Sequence, residues 1–400
     1  MLWDEGQIDR AAERMARSFE VLADDEPDED LAMLAAQLGR IRWFTGDVEG
    51  AVAPLEFALE IAESLYLPEV LSEALNTKHL LLAAKGRKQE GLALLRHSLE
   101  IAQEHGLSSA AFRAQFNLAY VIAGRDRFEE ALEIDREALE LARKRGDRGW
   151  ERAFLGHIWQ NNLLLGNWQE LDATDEEIAE VLEAGIRARL DPMAVLPRVY
   201  LNTGRLERLK RLFELLPDQP SAEVQDIAAH ALALSARARA EGRLADALAK
   251  SEDVLAQTEE LGVEHPSSRM AFADALETAF ALEDFESIER RLEKFRQLPP
   301  ADRLPSWNAQ ALRSEALLAA RAGESDDADR KFRQAAALLR EIGTRFWLAS
   351  VLLEHGEWLV ESGRADEAEP LLAEAREIFE RLGAAPWLER LDAIAEPARA

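Results

Sequence analysis

Residues 115–139 read QFNLAYVIAGRDRFEEALEIDREAL. Apolar residues recur at helical spacing on both sides of the polar break around Asp126, so the stretch predicts two amphipathic helices joined by a short turn. Small residues mark the pattern: Ala131 five places after the corner, Ala138 seven places further on, and Ala119 twelve places before Ala131. Two small residues two turns apart on one helix let a neighbouring helix approach closely. The stretch is therefore one hairpin of antiparallel helices, A and then B, packed through small side chains.

The same beat runs along the whole chain. Ala11, Ala51, Gly91, Ala131, Leu171, Leu209, Ala247, Ile288, Ala328 and Ala368 stand at steps of 40, 40, 40, 40, 38, 38, 41, 40 and 40 residues, giving ten copies. The second small position recurs as Ala58, Ser98, Ala138, Ala335 and Ala375, and the upstream one as Gly39, Ala119, Ser235, Ala316 and Gly356. The corner is a glycine at 6, 46, 86, 166, 204, 242, 323 and 363, as in GDVEGA and GRADEA. Glycine ends a helix in the left-handed region at little steric cost, and Asp or Asn after it can cap the next helix. Asp126 and Glu283 occupy the glycine slot in two copies, which predicts looser corners or ones a residue or two longer. A single hairpin cannot bury its apolar face, so the copies must stack in a row.

Small residues at these three positions resemble the tetratricopeptide repeat, from Gly6 to about Gly383. The period exceeds the family's usual length of about 34 and is similar to the long-helix variety in the C-terminal sensor regions of bacterial signal-transduction ATPases, such as maltose-regulator-like activators and cyclase-linked ATPases. The ending EPLLAEAREIFERLGAAPWLERLDAI is similar to the way such regulators finish. The family's aromatic position on helix A is Arg42, Leu82, Ile122 and Asn162 here, a departure that weakens the subfamily assignment. HEAT-like repeats share the period without requiring the small-residue pattern. The resemblance implies an all-α, right-handed α-solenoid of about ten antiparallel helix pairs, with ligands taken along a concave face formed by helices A.

Only LWDE and the initial Met precede Gly6, so residues 1–27 read as a partial first repeat, helix B alone. Residues 28–384 form the array and 385–400 a capping helix and tail, with Pro386 near the start of the helix. This beginning suggests a piece of a larger polypeptide; the alternative is that helix B1 is itself the cap. Two seams interrupt the array, one at 186–221 with Pro192, Pro197, Pro217 and Pro220, the other the extended linker QLPPADRLPSW at 297–307. Both read as irregular joints between copies, with hinges as the less favoured alternative.

Composition narrows the function classes. A net charge of -28 repels nucleic-acid duplexes and anionic lipid surfaces. The chain has no cysteine, which excludes disulfides and thiolate chemistry and fits a reducing cytoplasm. No signal peptide or apolar span is present, so a soluble, cytoplasmic protein is expected. There is no phosphate loop and no Gly-Lys dipeptide, so any ATPase would lie outside this sequence. The histidines at 79, 97, 105, 157, 230, 265 and 355 form no metal motif, and no nucleophile elbow occurs. No cofactor, metal or catalytic residue is assigned. Trp43, Trp150, Trp159, Trp347, Trp358 and Trp387 fall at helical spacing and read as packing residues.

Counting back from the small-residue markers, the face that the resemblance assigns to ligands presents Arg40, Asn76, Arg113, Asn117, Tyr120, Gln160, Arg198 and Asn202. Planar guanidinium and amide groups suit a peptide backbone or a carboxylate; an ordinary solvated surface is the plainer reading of any one of them. Alanine at Arg113 and Asn117 is expected to weaken partner binding without lowering thermal stability. The expected function is a non-enzymatic scaffold for a protein or peptide segment, the sensor or interaction region of a larger bacterial regulator whose upstream ATPase or cyclase module would be its attached partner. A small-effector sensor is the alternative. The enzyme-class rival is an α/α toroid with central carboxylates, which the number of copies and an open end disfavour.

Overall fold

The computed structural model describes residues 8–23, 26–171, 190–215 and 223–395. Among these residues every regular element is helical and none is a strand. The helices are α1 (Ile8–Leu22), α2 (Glu29–Phe44), α3 (Val52–Leu65), α4 (Pro68–Ala84), α5 (Lys88–Glu104), α6 (Ser108–Gly124), α7 (Phe128–Arg145) and α8 (Arg148–Leu165). After a 3-10 turn at Trp168–Leu171 come α9 (Leu190–Asn202), α10 (Leu206–Leu215), α11 (Val224–Ala240), α12 (Leu244–Leu255), the single turn α13 (Thr258–Leu261) and α14 (Pro266–Ala281). The chain continues through α15 (Phe285–Gln297), α16 (Pro305–Ala322), α17 (Ser325–Glu341), α18 (Arg345–Glu361), α19 (Ala365–Leu382) and α20 (Ala385–Ala395). The A helices are α2, α4, α6, α8, α9, α11, α14, α16 and α18. Two compact units result, residues 1–121 with 137–150 and residues 122–136 with 151–400.

The small-residue register is the packing register. Ala51, Ala131, Ala247, Ile288, Ala328 and Ala368 are fully buried, as are Ala58, Ser98, Ala138, Ala335 and Ala375 and the upstream Ala119, Ser235 and Ala316. The serines keep their hydroxyls satisfied at these close approaches: Ser72 and Ser98 each donate to the other's carbonyl at 2.9 Å, and Ser235 donates to the Ala247 carbonyl at 2.9 Å. At Gly91 the approach to another helix's backbone is tight, because a Cβ there would stand 2.8 Å from the His79 carbonyl oxygen.

The corners at Asp126 and Glu283 are no longer than the glycine corners, contrary to the sequence expectation. Asp126 has φ 64° and Glu283 φ 56°, in the left-handed region used by Gly46 at 81°. The helix-end bond at Glu283 matches that of a glycine corner, Asp284 N reaching the Ala279 carbonyl at 2.9 Å as Asp47 N reaches that of Arg42, whereas at Asp126 the bond from Arg127 N to the Ile122 carbonyl is longer, 3.3 Å. A non-glycine residue pays for this conformation in sterics, so each needs a local reason.

The linker at 297–307 is also tighter than expected. It contains a 3-10 turn, Pro300–Asp302, pinned by Arg303 Nε on the Leu298 carbonyl at 2.9 Å and Asn308 Nδ2 on the Arg303 carbonyl at 2.7 Å. Trp307 closes it by stacking on Phe272 with ring centroids 4.4 Å apart. The first seam lies partly outside the described residues; its described part carries Pro197 inside α9.

An array of hairpins has two edges, one of A/B corners and one of B/A joints between copies. In the second unit these opposite edges meet. The corner of copy four rests on the joint before α16: Asp126 accepts the Ser306 N–H at 2.6 Å and its hydroxyl at 2.9 Å, while Arg269 Nη2 reaches the Gly124 carbonyl at 3.1 Å. At the corner of copy five, Asn167 accepts from Arg345 at 2.9 Å, and Trp168 lies 5.1 Å from the Phe346 ring. At copy six, Asn202 Oδ1 accepts from Trp387 Nε1 at 3.1 Å, beside Gly204, which faces Pro386. Three successive corners thus sit on three joints about 180 residues further along the chain. Because corner meets joint, and not hairpin flank meets hairpin flank, this unit coils over itself and does not close as a ring.

Candidate functional site

The A helices carry polar side chains that bond from one helix to the next, at spacings close to the repeat period. In the first unit Arg113 on α6 donates to the Glu73 carbonyl at 3.2 Å and to Thr77 Oγ1 at 2.9 Å, and it forms an ion pair with the Glu73 carboxylate. One helical turn on, Asn117 Nδ2 donates to Asn76 Oδ1 at 2.7 Å. Arg40 on α2 is half-buried, while Tyr120 on α6 is exposed.

The second unit extends the pattern into a ladder of ion pairs, buried except at its last rung. Arg198 on α9 grips Asp274 on α14 through both terminal nitrogens, with Nη1 2.6 Å from Oδ1. Arg239 on α11 lies 3.5 Å from Asp274 and 2.5 Å from Glu277. Arg313 on α16 holds Glu354 on α18 by two bonds, of 2.6 and 2.5 Å, and Arg390 on α20 holds Glu357 at 2.7 and 2.6 Å. Four guanidiniums therefore face four carboxylates, and the ladder is neutral within a strongly acidic chain.

The shifts of these groups follow from burial opposed by partners. Burial alone would pull the Arg313 guanidinium down, but the Glu354 charge and hydrogen bonds hold it above its ordinary value. Burial would raise the Glu277 carboxyl; the charges of Arg239, Arg313 and Arg198 keep it below the usual range. Each acid of the set is engaged by a guanidinium. Among the described residues no group of three or more His, Asp or Glu is placed to hold a metal ion, and no helix is long and apolar enough to cross a membrane.

The residues singled out from the sequence divide into three kinds. Arg113 and Asn76 are buried and bonded to the next A helix along, and Arg198 is buried and paired with Asp274 two A helices on. Asn202 is committed at both ends, its Nδ2 to the Arg198 carbonyl at 2.9 Å and its Oδ1 to Trp387. Arg40, Asn117, Tyr120 and Gln160 keep partial or full exposure. The expected harmless removal of Arg113 does not survive this geometry, because its loss would leave Glu73 buried with its charge uncompensated. The acidic partners were not found from the sequence: with 76 Asp and Glu residues, none stood out. The signal that could have found some of them is the period itself, since Glu73 lies 40 residues before Arg113 and Glu354 lies 41 after Arg313.

The tryptophans pack as expected where their contacts are seen: Trp347 is buried, Trp387 stacks on Phe379 at 5.5 Å and Trp358 lies 6.2 Å from Phe332. In the second unit a small recess, with room for about 10 Å³ or one water molecule, is lined by Pro197, Arg198, Leu201, Leu232, Ala236 and Arg239 with Asp274.

No family profile matches the chain, and no curated protein matches it. Several solved structures resemble it. The apo quorum sensor NprR from B. thuringiensis is 14% identical over 93% of this chain and 94% of its own, with a TM-score of 0.42. A monomeric IFIT1 mutant with m7Gppp-AAAA is 15% identical over 94% and 88%, with a TM-score of 0.48. Yeast Tom70 is 14% identical over 100% and 94%, with a TM-score of 0.34. Likeness at this level carries no argument about function, and the fold class rests on the chain's own helices and register.

Proposed function

We propose that this chain is a tetratricopeptide-like scaffold of non-enzymatic type, which holds a protein or peptide segment along the polar faces of its A helices. The reading carries with it the context drawn from the sequence resemblance, the interaction or sensor region of a bacterial regulator with an attached ATPase or cyclase module. The observation that supports it most is the placement of amide, hydroxyl and guanidinium groups on successive A helices, at about one repeat period, while small residues occupy the packing positions. Side chains bonded to each other across helices are held in fixed positions, and fixed donors and acceptors recognise an extended backbone at low entropic cost. The large negative charge favours partners other than duplex nucleic acid.

The test uses the full chain against an array of random extended peptides. Tyr120→Ala and Gln160→Ala, at positions that are not buried, should each weaken capture of the selected peptides by about tenfold with an unchanged melting temperature. If no peptide is retained, or if both variants bind as the parent does, the A-helix faces are not the binding surface.

A further inference from the structure

Tyr66 is out of place. It ends α3 in the left-handed region, at φ 55°, where the corresponding joints after α5, α7, α17 and α19 have Gly106, Gly146, Gly343 and Gly383. Its side chain is 90% exposed, next to Leu65 at 46%, and the preceding joint presents Val21 at 76%. A bulky aromatic in a conformation that favours glycine, projecting into water, incurs two costs, and an outlier of this kind points to a role at its site. This edge is separate from the A-helix faces considered above.

The second unit shows what covers a joint of this class. The joints before α16, α18 and α20 are each seated under an A/B corner, and Leu304, Phe346 and Ala384 in them are buried. The corner supplied is that of the copy four positions earlier: copy four for the joint after copy eight, and copies five and six for the next two. Among the described residues nothing crowds the glycine corners of the later copies. A Cβ at Gly242, Gly323 or Gly363 would meet nothing within 4 Å, whereas at Gly166 it would meet Arg345 and Leu382 at 3.1 Å. Leu282, at the corner of copy eight, is 38% exposed.

We propose that the bare joint edge around Tyr66 and Leu65 receives the bare corner edge around Leu282 of a second copy of this chain, repeating between molecules the contact that the second unit makes within itself. The joint edge of one copy meets the corner edge of the other, so the contact is head-to-tail. A chain of charge -28 opposes its own association through long-range repulsion, and salt therefore strengthens the contact.

Sedimentation velocity on the full chain tests this. Between about 5 μM and about 500 μM protein, the weight-average mass should rise above the 44.7 kDa of one chain, and should rise further on going from about 0.1 to about 1 M NaCl. Tyr66→Gly suits the left-handed backbone and keeps the fold, which its melting curve will confirm; it should weaken association by about tenfold or more. Leu282→Asp should do so from the other edge. An equimolar mixture of the two variants retains one intact edge of each kind and should form dimers that grow no further. A single-chain mass at every concentration and salt, or association of both variants equal to that of the parent, would overturn the proposal.

Discussion

Asp126 and Glu283 occupy the same slot with nearly the same backbone, yet for different reasons. Asp126 is buried, caps the N-terminus of α16 through Ser306, and lies 3.1 Å from Arg269 Nε. Burial raises its carboxyl above the ordinary aspartate value, while Arg269 and the Ser306 donors oppose that shift. Arg269 in turn reaches the carbonyls that end α6, so each helix end is capped by a residue distant in sequence. Glu283 is exposed and only bears the strain. Glu283→Gly is therefore expected to stabilise the protein by about 1 kcal/mol. Asp126→Gly should destabilise it by about 2–4 kcal/mol, since the relieved strain is smaller than the loss from leaving Arg269 buried without its partner. Chemical denaturation of the two variants checks the opposite signs.

At the scale of the helix pair, the fold was legible because close packing leaves a sequence trace. A helix pair packed at its closest admits only Gly, Ala or Ser, and Ala51, Ala131, Ala328 and Ala368 repeat that constraint with the period of the hairpin. Gly91 shows how strict it is. Alanine there would gain helix propensity of about 1 kcal/mol but would drive its Cβ into the His79 backbone. Gly91→Ala should therefore lower stability by a net amount of about 1 kcal/mol or more, measured by denaturant midpoint. The site was less legible. Arg113 and Arg198 could be placed on the A-helix faces by counting, but whether an arginine is free or paired depends on an acid one or two periods away, and acids are too common here to stand out. Asn202 was read as a groove residue; its amide is consumed by Trp387, through a contact between copies that no local pattern encodes.

For the whole molecule, the stacking of corners on joints in the second unit changes what the repeat does. Nearest-neighbour packing alone would make stability a sum over adjacent copies; contacts across four copies couple distant hairpins and should make that unit unfold more cooperatively. They also follow from single residues, Asp126, Asn167 and Asn202, that look like ordinary loop positions in the sequence. The register could show that copies stack side by side, but not how tightly the row coils, because coiling depends on small angles that accumulate from one copy to the next. The most direct measurement is a double-mutant cycle between Asp126→Asn and Ser306→Ala, positions 180 residues apart in the chain. Seating of the copy-four corner on the joint before α16 predicts a coupling energy of about 1–2 kcal/mol between them. Effects that add to within about 0.5 kcal/mol would mean that the two residues do not meet, and that the second unit does not coil over itself.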